Sequence, residues 1–305
     1  MGMIEIGMGS VQTWECDYMD HLNVQHYVAR ASEALAGLAT ALGIGPKYGR
    51  EHGVSLTALD HHIRFLRELR PGTPFVFIGG ILDVRCDTLK LYQEMRNTQT
   101  GEVAASFVTE AALLDRTASA RHALPADVAK RAEVLRATLP DYAAPKGIDF
   151  SAPRTAPTWD EAERLGLMLI QQGVVNAAEC DGQGFMTTRA YMGRVSDGIP
   201  NLIARTGGAD RARKAGIGGA ALEYRFVYRA VPREGDVLAL RSGIKALNGK
   251  TIVWVHWLFD RESGTAVATA EAVGVNFDLV ARKAVDISDT ARREMQRYLV
   301  PALSA

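Results

Sequence analysis

ECDYMDHLNVQHYVARASE, residues 15–33, returns as ECDGQGFMTTRAYMGRVSD, residues 179–197. Six positions are identical and the last is acidic in both: Glu15/Glu179, Cys16/Cys180, Asp17/Asp181, Tyr27/Tyr191, Arg30/Arg194, Ser32/Ser196 and Glu33/Asp197, all 164 apart. Chance gives about one identity in such a window, because average residue usage is on the order of 5 %. A fixed internal offset is the trace of a duplicated module. The chain is therefore one fold made twice, and its polar residues are to be read in pairs.

Working outward, Arg64-Phe65 matches Arg225-Phe226 at an offset of 161, and Gly72 matches Gly235 at 163. That difference predicts a two-residue insertion near Val231-Pro232. Thr88-Leu89 with Thr251-Ile252, Gly101 with Gly264 and Asp115 with Asp278 continue at 163. Each copy ends in a charged, helix-like segment, 126–138 or 288–299, followed by Pro140 or Pro301.

Within the first copy, Ser10–Cys16 is predicted as a short strand, broken by the polar stretch DYMDHLN. From Val24 the apolar residues fall at Val24, Tyr27, Val28, Ala31, Leu35, Leu38, Ala39 and Leu42, the spacing of a helix with one buried face. Asn23 or Asp20 suits its N-cap, and Gly43, Gly45 and Pro46 end it. Strand-like alternation follows at about 57–70, 74–85, 88–98 and 103–115. The second copy repeats the order, with a strand to Cys180, a helix over 187–206, and strands near 219–231, 236–247, 250–260 and 265–278. Asn248-Gly249 predicts a two-residue type I′ hairpin. The expected class is α+β, each half a long helix wrapped by a curved antiparallel sheet. Each half alone would expose a sheet edge, so the two should pack together. The expected boundaries are 1–140, a Pro-punctuated linker at 141–165, and 166–305.

At 305 residues the chain has length for two domains of roughly 150, each able to bury a core. A hydrophobic fraction of 47 % and a charged fraction of 23 % are ordinary for a globular protein, and the net charge is zero. Nothing electrostatic points to nucleic acid or an anionic membrane. The N-terminus has no secretory pattern, and no apolar run reaches the roughly 18 residues of a spanning helix. Cys16, Cys86 and Cys180 cannot close a disulfide set, which suits a reducing cytoplasm. Cys16 and Cys180, equivalent in the two copies, are expected as small buried packing residues. No metal spacing, Walker A, GxGxxG or HExxH pattern occurs, so neither cofactor nor metal is expected.

Residues 14–27, WECDYMDHLNVQHY, resemble the strand-to-helix motif of the double hotdog acyl-CoA thioesterases, a family related to hydroxybenzoyl-CoA thioesterase. That motif has an Asp, a Gly-His-x-Asn-like stretch, and a Tyr about ten residues on inside the helix. Asp17, His21, Asn23 and Tyr27 occupy those positions, with Asp20 in place of the Gly. In the second copy Asp181 and Tyr191 match and Gly184 restores the Gly, while Phe185 and Thr187 replace His and Asn. The resemblance implies a tandem double hotdog and hydrolysis of an acyl-CoA thioester. A carboxylate must attack the carbonyl or activate water, and donors must hold the developing oxyanion. The expectation is Asp17 as base or nucleophile in a cleft between the copies, oriented by His21 and Asn23, with Asp181 as its counterpart. The amides of Val24 and Gln25, at the positive end of the helix, would face the thioester oxygen. Tyr27, Tyr191 and Thr187 would line the substrate.

Structural roles stand beside these. Asp17 also reads as a turn residue, His21 as a turn histidine, Asn23 as a plain N-cap, and Tyr27 and Tyr191 as core residues with bonded hydroxyls. Arg30 with Glu33 and Arg194 with Asp197 read as i, i+3 ion pairs, Glu33 being a minor catalytic candidate. Arg64, Arg67, Arg70, Arg225, Arg229 and Arg233 are candidate contacts for the CoA phosphates. Phe185 and Thr187 leave the second motif poorer, so the Asp17 site is the expected main one. An acyl-carrier-protein thioesterase, a hotdog hydratase or dehydratase, and a non-catalytic thioester-binding module are the alternatives. A homo-oligomer is compatible with the sequence.

Overall fold

A computed structural model describes residues 2–206, 216–301 and 303–305. The chain divides into two compact units, Met1–Ala144 and Pro145–Ala305.

In the first unit, β1 (Ile4–Ser10) precedes the long helix α1 (Val24–Ala41) and a short helix α2 (Pro46–His52). Then come β2 (Ser55–Phe65), β3 (Pro74–Val84), β4 (Thr88–Asn97), β5 (Val103–Asp115), β6 (Ala120–His122) and α3 (Ala126–Val134). The strands form an antiparallel sheet in the order β1-β3-β4-β5-β2, with β6 paired to β5. Helix α1 forms because its apolar residues recur on one face; Tyr27, Val28, Ala31, Ala34, Leu38 and Ala39 are buried. Leu38, Ala39 and Leu42 share a core with Ile81, Leu89, Leu91, Ala111 and Leu113 of the sheet. Gly37 lets α1 approach β1 closely, since a Cβ there would strike Ile6 O. Pro46, expected only as a stop, opens α2 at its first turn, where a missing N–H costs nothing.

The second unit repeats the plan. It contains α4 (Trp159–Arg164), β7 (Met168–Val174), α5 (Thr188–Arg205), β8 (Ile217–Tyr228), β9 (Val237–Leu247), β10 (Thr251–Asp260), β11 (Ala266–Asp278), β12 (Lys283–Ala284) and α6 (Asp289–Met295). The order is β8-β11-β10-β9-β7, again antiparallel, with β12 on β11. Asn201 stands where the first copy has Gly37, and its side-chain amide donates to Ile170 O at 2.8 Å. Two copies of a long helix against an antiparallel sheet make this a tandem hotdog fold.

Three expectations are corrected. Ser10–Cys16 is not a strand: β1 ends at Ser10, and Thr13–Glu15 forms a 3-10 turn in which Glu15 Oε2 accepts from Gln12 N at 2.9 Å. The second copy has the same turn at Ala177–Glu179. The Asn248-Gly249 hairpin is a three-residue connection, 248–250, closed by Asn248 N to Thr251 O, with neither Asn248 nor Gly249 at positive φ, so it is not type I′. Its counterpart closes from Arg85 N to Thr88 O.

The third correction concerns the repeat. Phe65 pairs with Ala105 and Tyr228 with Ala268, while Ile63 pairs with Phe107 and Phe226 with Ala270. Equivalence therefore runs at 163 throughout these strands, and Phe226 is the partner of Ile63, not of Phe65. The bonds Leu22 N to Leu69 O and Met186 N to Pro232 O extend that offset, so no insertion lies at Val231-Pro232. The change from 164 to 163 falls between the long helix and the next strand.

The connector is ordered on each side of the unit boundary. In the first unit, Tyr142 donates to the buried carboxylate of Glu94 at 2.5 Å, and Arg64 Nη1 donates to Ala144 O at 2.8 Å. Tyr92 and Arg96 complete the shell of Glu94, at 2.8 and 2.6 Å. In the second unit, Lys146 N and Gly147 N donate to Glu223, and Arg225 Nη1 donates to Asp149 O and Ser151 O.

Candidate active site

The motif folds as a closed turn before the helix. Asp17 N donates to His21 O at 2.8 Å, and Asn23 N donates to Glu15 O at 2.9 Å, which fixes Asp17 just ahead of α1. Asp17 Oδ1 accepts from Met19 N at 2.9 Å and His21 N at 3.4 Å, an Asx turn. Asp181 repeats this with Gln183 N at 2.9 Å and Phe185 N at 3.2 Å. Both carboxylates are half-buried, and in both copies one oxygen builds the turn. Asp20, standing in place of the motif glycine, takes φ +62°, and Gly184 takes +78°. Left-handed backbone is costly for a residue with a Cβ and least so for Asp or Asn. Asp20→Gly is expected to raise stability by about 0.5–1 kcal/mol and Gly184→Ala to lower it by about 1 kcal/mol, read from the midpoint of urea unfolding at unchanged slope.

Asn23 is the N-cap of α1, and its Oδ1 accepts from Gln25 N at 3.1 Å. An oxyanion would therefore share the Gln25 amide with Asn23. Thr187 differs: its hydroxyl donates to Glu179 O at 3.0 Å and caps no amide of α5. The His21 imidazole is buried, with Nε2 3.2 Å from Glu68 Oε2 and 3.2 Å from an Arg70 nitrogen. Tyr27 donates to Arg67 O at 3.2 Å and accepts from Leu69 N at 3.1 Å, and burial pushes its pKa up. Tyr191 donates to Ala230 O at 2.7 Å and is likewise raised by burial. Both hydroxyls thus tie the long helix to the end of the adjoining strand.

Cys16 and Cys180 are half-buried, not buried. Burial, followed by nearby carboxylates including Asp17 and Asp181, raises both thiols. They stay protonated and are poor nucleophiles. Trp14 and Tyr18, beside the turn, are exposed. Of the candidate CoA arginines, Arg64 and Arg225 hold connector carbonyls, Arg67 pairs with Glu102, Arg70 with Asp20, Arg229 Nη2 donates to Thr269 Oγ1, and Arg233 lies over the Phe185 ring.

The sequence reading missed the acid that each helix arginine uses. Arg30 does pair with Glu33 at 2.9 Å, but it also reaches the buried Glu15 at 2.7 Å. Arg194 makes no bond to Asp197; it donates to Glu179 Oε2 at 2.8 Å, Val174 O at 2.9 Å and Gly173 O at 3.1 Å. The signal was present, since Glu15/Glu179 and Arg30/Arg194 are all invariant between the copies. Their carboxylates accept from the turn's own amides, Gln12 N and Asn176 N, and so join turn, helix and first strand.

The family model of the thioesterase-like superfamily matches residues 11–132 and again 175–295. The chain belongs to that superfamily, and both of its halves do. The search of curated proteins gives no match. Among solved structures, the 12:0-ACP thioesterase from Umbellularia californica is similar at 14 % identity, covering 90 % of this chain and 94 % of that one with a TM-score of 0.68. An acyl-ACP thioesterase from Bacteroides thetaiotaomicron is similar at 10 % identity, covering 89 % and 97 % with a TM-score of 0.65. At such identities these likenesses show the fold. Among the described residues no helix is long and apolar enough to cross a membrane. Superfamily membership supports thioester hydrolysis as the class of chemistry.

Proposed function

We propose that this chain hydrolyses an acyl-CoA thioester to the free acid and CoA, with Asp17 as general base or nucleophile. The carrying observation is the closed turn that holds Asp17 immediately before the amide end of α1, in a chain whose both halves match the thioesterase-like superfamily. A carboxylate there can deliver or activate the attacking oxygen, while helix amides, Val24 first and Gln25 shared with Asn23, stabilise the tetrahedral oxyanion. His21, clamped by Glu68 and Arg70, acts by holding the turn. Tyr27 and Tyr191 set the helix against the sheet and so shape the wall that the substrate meets. The reaction needs neither metal nor cofactor, and the three free thiols suit the cytoplasm.

A second reading places hydrolysis at Asp181. It is favoured by one difference: Thr187 leaves the first amides of α5 uncapped by its side chain, where Asn23 occupies that of Gln25. The carrier is open to a parallel reading, because the structural neighbours named above are acyl-ACP enzymes. Incubation with acyl-CoAs of graded chain length and a thiol-detecting reagent tests the assignment, with the same acyl groups on a carrier protein run alongside. Free CoA from at least one chain length is the expected result. Thiol from the carrier protein alone would move the substrate class, and none from either would leave a binding module.

A further inference from the structure

The second sheet carries, on the face opposite α5, a set of arginines that the first copy lacks. Trp257 pairs with Arg241 on one side and Thr269 on the other, so the three side chains share that face. Arg154, from the connector, lies over the Trp257 ring at 4.7 Å, and Arg229 Nη2 donates to Thr269 Oγ1 at 3.1 Å. Arg154 and Arg229 are thus anchored on neighbouring strands at one level of the ladder. Further along the same face Trp159 packs on Phe259, with Arg241 and Arg261 over its ring at 4.1 and 3.6 Å. Two carboxylates answer these four charges. Glu161 takes Arg154 at 2.6 Å and Glu163 takes Arg241 at 2.7 Å, while Arg229 and Arg261 pair with no acid among the described residues. Arg229 is half-buried; burial first, and the like charge of Arg154 second, push its pKa down. Its guanidinium stays charged all the same. A water molecule satisfies a stray N–H, but it does not neutralise a charge.

The first copy shows that the fold does not require this excess. At the positions equivalent to Arg229, Arg241 and Arg261 it has Leu66, Ile78 and Thr98, and Glu94 stands where the second copy has Trp257. That face balances its own charge, since Glu94 holds Arg96 at 2.6 Å and accepts from the hydroxyls of Tyr92 and Tyr142. The second copy has exchanged a buried acid for a surplus of guanidinium. A charge drawn partly out of water is normally paired. The partner missing here is therefore an anion that the chain itself does not supply.

We infer that the second unit binds a phosphate group between Arg229 and Arg154. Arg229 spends Nη2 on Thr269, and Arg154 spends Nη2 on Glu161 and Nε on Thr155 O, which leaves Nη1 of each for a ligand approaching from solvent. Phosphate presents oxygens on several sides, so it accepts from two guanidinia at once, and as a dianion it matches the two charges that lack an acid. Arg261 adds to the field that draws an anion to this face. The site goes beyond the thioesterase reading and does not depend on it. Two sources carry the chemistry: free phosphate, and the phosphorylated end of a nucleotide such as CoA.

The wild-type protein, Arg229→Gln and Arg154→Gln are melted in chloride at constant ionic strength while inorganic phosphate replaces the chloride. The wild type should melt about 3 °C higher at ten times the dissociation constant. Arg229→Gln should weaken phosphate binding at least about tenfold, and Arg154→Gln should weaken it as well. Equilibrium dialysis of the wild type against labelled phosphate needs no variant and should count close to one phosphate per chain. An equal phosphate response in the wild type and Arg229→Gln, or no bound phosphate by dialysis at about 10 mM, would overturn the inference. Competition with adenosine 3′,5′-bisphosphate then separates the sources of a site so established. Displacement at one-tenth the concentration of inorganic phosphate assigns it to a nucleotide end, and equal or weaker displacement assigns it to free phosphate.

Discussion

Asp17→Asn is expected to lower turnover on an acyl-CoA by at least about a hundredfold, some 2.7 kcal/mol of transition-state stabilisation, with the melting temperature shifted by no more than about 2 °C. The second half of that expectation makes the substitution informative. Asparagine keeps a side-chain oxygen for the amides of Met19 and His21, so the turn survives while the group able to take a proton or attack a carbonyl is gone. The same reasoning applies to Asp181, whose Oδ1 serves Gln183 and Phe185. Measuring both single variants and the double one divides the chemistry between the two halves. A large loss from Asp181→Asn alone reverses the assignment, and undiminished turnover in the double variant removes these carboxylates from the reaction.

A change of similar size, in stability, is expected from Arg194→Met. Arg194 is 3 % exposed, and its removal takes a donor from the carbonyls of Gly173 and Val174 and leaves Glu179, which is partly exposed, to the amide and side chain of Asn176. Losing hydrogen bonds that involve a charged group typically costs about 1.5–3 kcal/mol. Arg30→Met leaves the more deeply buried Glu15, 4 % exposed, with the Gln12 amide and should cost at least as much. Denaturant unfolding followed by tryptophan fluorescence reads both. A loss below about 1 kcal/mol for Arg194→Met would mean that Glu179 finds another donor or takes up a proton.

The long helices and the eight central strands were legible in the sequence because each rests on a local period, 3.6 or 2, that burial enforces. Repetition was legible too, yet its register was not. Matching Arg64-Phe65 to Arg225-Phe226 follows letters, whereas the ladders align Ile63 with Phe226 and Phe65 with Tyr228. The first strands escaped for a physical reason: β1 carries an irregularity between Glu5 and Gly7, and β7 carries one between Leu169 and Gln171, which breaks the alternation a strand otherwise shows. Thr13–Glu15 mimics that alternation but is a turn held by its own acid. In the candidate site, the Asp, His and Asn positions were nominated from the motif; the bonds of Asp17 and Asn23 to neighbouring amides were within reach of turn chemistry, whereas the Glu68 and Arg70 beside His21 were not. The partner of Arg194 was not, because Glu179 lies 15 residues back across a turn and helical spacing offered the nearer Asp197.

The way the connector is tied has a practical corollary for anyone dividing this protein into halves for fragment reassembly. A first fragment stopped at residue 140 would forfeit the Tyr142 hydroxyl and the Ala144 carbonyl, taking one donor from the buried Glu94 and the acceptor from Arg64 Nη1. Stopping after Ala144 and beginning the other fragment at Pro145 keeps both, and keeps the amides of Lys146 and Gly147 with Glu223. A shift of four residues in the scissors thus separates a clean split from one that robs a buried acid and a buried arginine of a partner each.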